Sequence, residues 1–362
     1  MQNLPSLDTQ DMWQRLKEEK RPIVIYGMGN GADKLISRLS SLGISFADIF
    51  ASDGFVRGHS FHGVRIKSFS EIKDTYSDFV ILLSFGAKLD DVIKMLEEID
   101  KSYDMYVPDM PVSEETVYFD SVFYREHYSK IVTALETLCD EESKNTFISL
   151  IRYKLSGRMA DLLAFTHTKE EMYKLIIEKN PRKYCDVGAY NGDTLKEALH
   201  HLPSISRAVC IEPDKKTFKR LLKYAEGVDN ASVACINAAA WSACGEGDFS
   251  ASASRNSSIS GVSTSSFEHK NDEVSLVSVD SLGEDFDYVK YDVEGAEREA
   301  LDGSSETIDR CRPALLVSLY HKSRDIFELI NLLREKYQGY KFYLRRLRCL
   351  PAWEINLIMI PT

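Results

Sequence analysis

The sequence predicts an α/β protein with two parallel sheets and a helical connector between them, the second sheet closed by a reversed last strand. Three observations carry this. Short apolar runs alternate with helical stretches in two separate series, a proline-broken helical segment divides the series, and the final two strands are joined by a short connection. At 362 residues the chain has the length of about two domains. The expected boundaries are 1–110 for a small α/β domain, 111–180 for the connector and 181–362 for a larger α/β domain.

The first series begins near Arg21. PIVIYGMGNGADKLISRLSSLG reads as a buried strand, a glycine turn and a helix with apolar positions Leu35, Ile36, Leu39 and Leu42, stopped by Gly43. ISFADIFASDG supplies a second strand, and DFVILLSFGAKLDDVIKMLEEI a third with its helix. About three strands are recognisable in this layer. VPDMPVSEET then breaks the pattern, and Ser121 to about Asn180 is helical throughout, with a capping-box spacing at Thr168 and Glu171.

The second series starts at Lys183. KYCDVGA, AVCIEPD, SVACINAAAW, DYVKYDVEG and ALLVSLY read as strands, most of them followed by an amphipathic helix. YKFYLRRLR and EINLIMIPT are separated only by CLPAW, which suits a hairpin and not a parallel crossover. The serine-rich run FSASASRNSSISGVSTSSF interrupts the series and reads as a flexible surface loop. Lys341, Arg345, Arg346 and Arg348 make a basic cluster on the hairpin, expected to be a solvated strand face.

Composition narrows the class. The chain is 44% hydrophobic and 28% charged, and a formal charge of −11 argues against a nucleic-acid partner. Seven cysteines without CxxC spacing suit a reduced, cytoplasmic protein. There is no secretory signal pattern and no apolar run of about 18 residues, so no membrane insertion is expected. A homodimer is compatible with all of this.

In an open parallel sheet, ligands sit beyond the carboxyl ends of the strands. In the second series those ends carry Asp186, Glu212, Asn237, Asp292 and Tyr320 with His321. Gly188 and Gly192 allow a tight turn before a helix that starts near Asp193 and points free amides at a ligand. An acid beside those amides disfavours a pyrophosphate and favours a guest with positive charge. S-adenosylmethionine fits, its carboxylate toward the amides and its ammonium and sulfonium toward acids. The turn residues Ala189, Tyr190, Asn191 and Thr194 join this candidate cofactor set. Glu212, followed by Pro213, stands where an acid commonly accepts from ribose hydroxyls, and Asn237 with Ala238 is placed to border the adenine. The bland alternative is that the glycines punctuate turns and the acids cap helices.

DVGAYNGDT, CIEPD, INAAAW, VKYDVEGAEREALDG and LLVSLYHKSRDIFEL resemble the successive motifs of the FkbM family of S-adenosylmethionine-dependent methyltransferases. The resemblance runs from about Lys183 to the C-terminus. It implies a class I methyltransferase domain with a Rossmann-like, seven-stranded sheet whose last strand is antiparallel. It also implies cofactor contacts at Asp186, Gly188, Glu212 and Asn237, and methyl transfer to a hydroxyl of a sugar, a glycan in polysaccharide biosynthesis, or a secondary metabolite.

Such a transfer is an in-line displacement that needs positioning and a destination for the hydroxyl proton. His321 is the first choice as general base, with Asp292 and Glu294 beside it; Asp292 also borders the cofactor. The same three could hold a divalent ion, but direct base catalysis is preferred and no metal is assigned.

In the first series Gly27, Gly29 and Ala32 fit G-x-G-x-x-A, Asn30 opens the helix and Asp53 ends the next strand, the context of a nucleotide site. This Rossmann-like lobe, with GHSFHGVRIKS, is similar to small nucleotide-binding lobes that precede some sugar-modifying enzymes. A degenerate lobe serving assembly or presentation of a sugar or nucleotide-sugar acceptor fits equally. The competing functions are an NAD-dependent nucleotide-sugar oxidoreductase using this lobe, and an inactive module that binds the cofactor without turnover.

Overall fold

The computed structural model describes residues 3–362 apart from 53, 55, 57–59, 113–116, 251–257 and 260–271. Two parallel sheets are present. The first has the strand order Lys67–Ser68, Asp48–Ala51, Ile23–Tyr26, Val80–Leu83, Asp104–Tyr106, with every neighbouring pair parallel. It has five strands where the sequence suggested three. The two added strands are short, and Lys67–Ser68 is a polar edge that no apolar run announces.

Helices Ser121–Thr137, Glu141–Ser156, Met159–Leu163 and Lys169–Ile177 form the connector. Thr168 and Glu171 make the capping box that starts the last of them. Glu141–Ser156 buries Phe147, Ile148, Leu150, Ile151, Tyr153 and Leu155, so apolar side chains point to more than one side and the helix is packed all round. One continuous apolar core therefore runs from Val24 and Ile81 of the first sheet through this helix to Val187 and Val317 of the second.

The second sheet has the order Ser232–Ile236, Arg207–Ile211, Lys183–Val187, Tyr288–Tyr291, Ala314–Ser318, Ile355–Pro361, Tyr340–Arg346. Ile355–Pro361 is antiparallel to both neighbours. The fold is α/β with a seven-stranded Rossmann-like sheet and a reversed last strand. Its order switches between Lys183–Val187 and Tyr288–Tyr291, where successive connections leave in opposite directions and a crevice opens.

Two expectations are corrected here. The serine-rich run is not only a loop: its first two residues belong to strand Gly245–Ser250 and its middle to strand Ser258–Ile259 of a small sheet with Ala239–Ala240 and Asp272–Val277, and the rest of the run lies outside the described residues. Two of the three hairpin arginines, Arg345 and Arg346, are not solvated. Arg345 is buried against Asp140 at 2.7 Å and Glu142 at 3.1 Å, and Arg346, fully buried, donates to the carbonyls of Leu162 and Cys349. The connector covers this strand, so charges at adjacent positions find partners on both of its faces. Among the described residues no helix is long and apolar enough to cross a membrane.

Candidate active site

At the switch point lies a cleft of about 1000 Å³. Its floor is the glycine turn after Lys183–Val187. Gly188 has φ +88°, and a Cβ there would sit 1.9 Å from the carbonyl oxygen of Asp292, so only glycine lets these two strand ends close together. Gly192, φ +91°, caps the helix Asp193–His201. Between them Tyr190 is forced to φ +48°, which aims its amide at Glu212 Oε2, 2.9 Å away. The other Glu212 oxygen accepts from the Asp214 amide at 2.8 Å. Glu212 thus ties the turn to the end of Arg207–Ile211 while lining the cleft. Burial pushes its carboxyl up to about 7 against the pull of those two amides.

Tyr190, Gly188, Thr194, Glu212, Pro213 and Asp292 of the expected cofactor set line the cleft. Ala189 and Ala238 are buried beside it. Asn191 accepts from the Asp193 amide at 3.2 Å. Asn237 bridges the carbonyls of Glu212 and Pro213 at 2.9 and 3.0 Å, clamping the third strand end to the second.

Asp186 is placed differently from the expectation. Its side chain is fully buried below the cleft, accepts from Thr194 Oγ1 at 2.6 Å and faces Lys290 Nζ at 3.8 Å. Lys290 and Asp186 are register partners on adjacent parallel strands, which puts their side chains on one face of the sheet. Sequence reasoning missed this lysine, although a lysine inside YVKY, a strand buried along its length, was the available signal. Burial alone would lower its ammonium, yet Asp292 and Asp186 override that and raise it. Burial likewise lifts Asp186 to about 6, with Lys290 opposing. The cleft as a whole is therefore not an acidic bowl: its lining carries seven acids and six lysines or arginines.

One group of acids gathers around His321. Asp292 Oδ1 accepts from Tyr320 at 3.0 Å, and Lys290 approaches Oδ2 at 3.3 Å. Burial would raise this carboxyl, but Lys290 and His321 outweigh it and hold it down at about 2. Glu294, at φ +54°, lines the cleft, and burial lifts it to about 7 against His321. Three of the six described non-glycine residues with positive φ, Tyr190, Glu294 and Glu354, line this cleft, the distribution expected of backbone held in place for function.

His321 stands behind these carboxylates and is fully buried. Glu297 Oε1 lies 2.8 Å from Nδ1, while Asp292 Oδ1 and Glu294 Oε2 lie 3.6 and 3.5 Å from Nε2. Burial would lower the imidazole, but the three carboxylates, Glu297 foremost, push it up to about 10. His321, expected as the general base, does not itself line the cleft; the groups that reach it are Asp292 and Glu294. Glu297, in the first turn of the helix Glu297–Asp302, is the second residue missed.

The first lobe reaches the same cleft. Ala87 and Leu350 exchange backbone hydrogen bonds, both 2.8 Å, and Gly86 lies against the Trp353 ring. This docks the lobe on the hairpin turn and brings Lys88 to the rim beside Arg348 and Glu354. In the lobe itself Gly29 caps the helix Asn30–Ser41, but Gly27 packs on Phe85 and Ser84. Tyr26, stacked on Phe50, bonds Ser52 at 2.6 Å. Asp53 lies outside the described residues.

Residues 186–342 match the methyltransferase FkbM domain family. A crystal structure of methyltransferase FkbM from Methylobacillus flagellatus KT is similar over 98% of this chain and 94% of that one, with TM-score 0.72 and 16% identity, which shows a shared fold through both lobes. An rRNA methylase from Streptococcus thermophilus is similar over 53% of this chain and 94% of its own, with TM-score 0.35 and 10% identity. No curated protein matches the chain.

Proposed function

We propose, from the match of residues 186–342 to the methyltransferase FkbM domain, that this chain transfers a methyl group from S-adenosylmethionine to a hydroxyl of a sugar, glycan or secondary metabolite. The observation that carries the reading is Glu212: a strand-end carboxylate, fixed by two backbone amides, beside a glycine turn and a helix N-terminus in one cleft. Those features fit a nucleoside with a charged tail. Glu212 would take ribose hydroxyls, the first amides of Asp193–His201 a carboxylate, and the small Ala239 and Ala240 a flat base. The cleft volume is at the top of the range for a single ligand site, which leaves room for cofactor and acceptor together.

When bound, the cofactor supplies an already activated methyl group. The chain's own work is to orient the acceptor and receive its proton. Asp292, held by Tyr320 and Lys290, and Glu294, turned to the cleft by its positive φ, are the carboxylates able to do both. Glu297 and His321 hold them from behind. Lys88, Arg348 and Glu354 give the acceptor end a polar wall contributed by both lobes, which suits a polyhydroxylated substrate.

The test is incubation of the chain and methyl-labelled cofactor with sugars, nucleotide sugars and extracted glycans. Label in an alkali-stable O-methyl ether supports the reading. Label found only on nitrogen, carbon or protein overturns the hydroxyl as acceptor.

A further inference from the structure

Behind the cleft, three polar groups gather without bonding one another. His321 Nε2 is fully buried, has no hydrogen-bond partner and points between Asp292 Oδ1 at 3.6 Å and Glu294 Oε2 at 3.5 Å. Charge-assisted contacts ordinarily close to about 2.7–2.9 Å, so these stand too far apart for hydrogen bonds. Ligand atoms bound to one ion at about 2.1 Å are separated by about 3.0 to 3.5 Å in octahedral or tetrahedral geometry. The gap matches that spacing within a few tenths of an ångström.

The opposite side of the ring is also built for a metal. Glu297 Oε1 lies 2.8 Å from Nδ1 and is itself fixed by the Val293 amide at 3.0 Å. A carboxylate on the far nitrogen is the usual device that sets a ligating histidine's tautomer and orientation. Among the described residues, atoms of Asp292, Glu297 and His321 all come within 4.8 Å of one another. The Glu297 Oε2 atom, buried too, has no hydrogen-bond partner.

We propose that His321 Nε2, Asp292 and Glu294 bind a divalent cation at the acceptor end of the cleft, with Glu297 positioning the imidazole. This departs from the expectation that no metal is present. Two carboxylates with one imidazole suit Mn²⁺ or Mg²⁺ and leave coordination positions open toward the cleft, which the partly exposed Asp292 and Glu294 line. An ion there would hold acceptor oxygens, and Glu294 would keep its second oxygen for the departing proton. That role rests on the methyltransferase reading above; the binding itself does not.

The experiment strips the full chain with chelator, dialyses it and titrates it with Mn²⁺, reading bound ion by electron paramagnetic resonance, with S-adenosylhomocysteine calorimetry on the same sample. Saturable binding at one ion per chain is expected, displaced by excess Mg²⁺. Glu294→Gln and Asp292→Asn should each weaken it at least about tenfold, and Glu297→Gln by about 10- to 100-fold. Glu294→Gln, on a partly exposed side chain, keeps the test sound if a buried variant fails to fold. Mn²⁺ unbound at about 1 mM, or bound equally by parent, Asp292→Asn and Glu294→Gln chains, overturns the site. S-adenosylhomocysteine binding without Mn²⁺ binding defeats this inference alone, whereas Mn²⁺ binding without S-adenosylhomocysteine binding counts against the function.

Discussion

Lys290 Nζ lies 3.8 Å from Asp186 Oδ1, and both side chains are sealed inside the larger sheet. Register pairs them directly; without Lys290 the Asp186 carboxylate keeps the Thr194 hydroxyl, whereas without Asp186 the Lys290 ammonium still has Asp292 at 3.3 Å. Replacing one partner of a buried ion pair costs about 3–5 kcal/mol, chiefly through the uncompensated charge left behind. Lys290→Met should lower unfolding free energy by about that amount in urea denaturation, and Asp186→Asn by less, because Lys290 keeps Asp292. The double variant should lose less than their sum, since the pair is lost once. Strict additivity would mean that the two charges do not interact.

Gly188 offers a sharper backbone test. Its φ of +88° and the 1.9 Å approach of a Cβ to the Asp292 carbonyl leave alanine nowhere to go. Gly188→Ala should cost at least about 1–3 kcal/mol and displace Asp292 and Glu294 together. Differential scanning calorimetry checks the first effect and methyl-transfer rate the second. A variant as stable and active as the parent would contradict the packing described.

Glu212 links the site to pH. Its folded-state carboxyl sits at about 7, above the ordinary 4.5. A raised pKa means that the folded chain holds a proton the unfolded chain has released, so the contribution to stability is full below 4.5 and is lost as pH rises through 7. Glu212→Gln lacks this dependence. Relative to the parent, it should gain on the order of 2 kcal/mol between pH 5 and pH 8, read from unfolding at both. A gap that stays constant or narrows with rising pH would contradict the burial of this acid.

Much of this was legible because it sits at strand ends. The pattern of an apolar run, an acid, then a glycine turn marks Asp186, Gly188 and Glu212 by position, and CLPAW between two strands marks the reversed closing strand. What escaped was partnership across sequence distance. Lys290 reads as one charge inside an apolar strand until register sets it beside Asp186. Glu297 reads as an acid at a helix start, which it is, and nothing local says that His321 turns its Nδ1 toward it. The arginines of the hairpin look like a surface because a strand cannot announce that a helix from 200 residues earlier will cover it.

Arg346 gives the test of that last point. Fully buried and donating to the Leu162 and Cys349 carbonyls, it joins the connector to the hairpin turn at the cleft rim. Arg346→Met should cost about 1–3 kcal/mol by leaving a buried carbonyl unpaired, seen as a lower melting temperature. Lys341, exposed on the same strand, should tolerate alanine within about 0.5 kcal/mol. Equal effects at the two positions would restore the picture of a solvated basic face.

The proposed function stands or falls with an adenosine bearing an amino-acid tail in the cleft beside Gly188 and Glu212, and calorimetric titration of the full chain with S-adenosylhomocysteine measures that binding. Saturable binding at one site is expected, weakened at least about tenfold by Glu212→Ala through loss of a hydrogen-bond acceptor. No heat of binding, or an affinity that Glu212→Ala leaves unchanged, would contradict it.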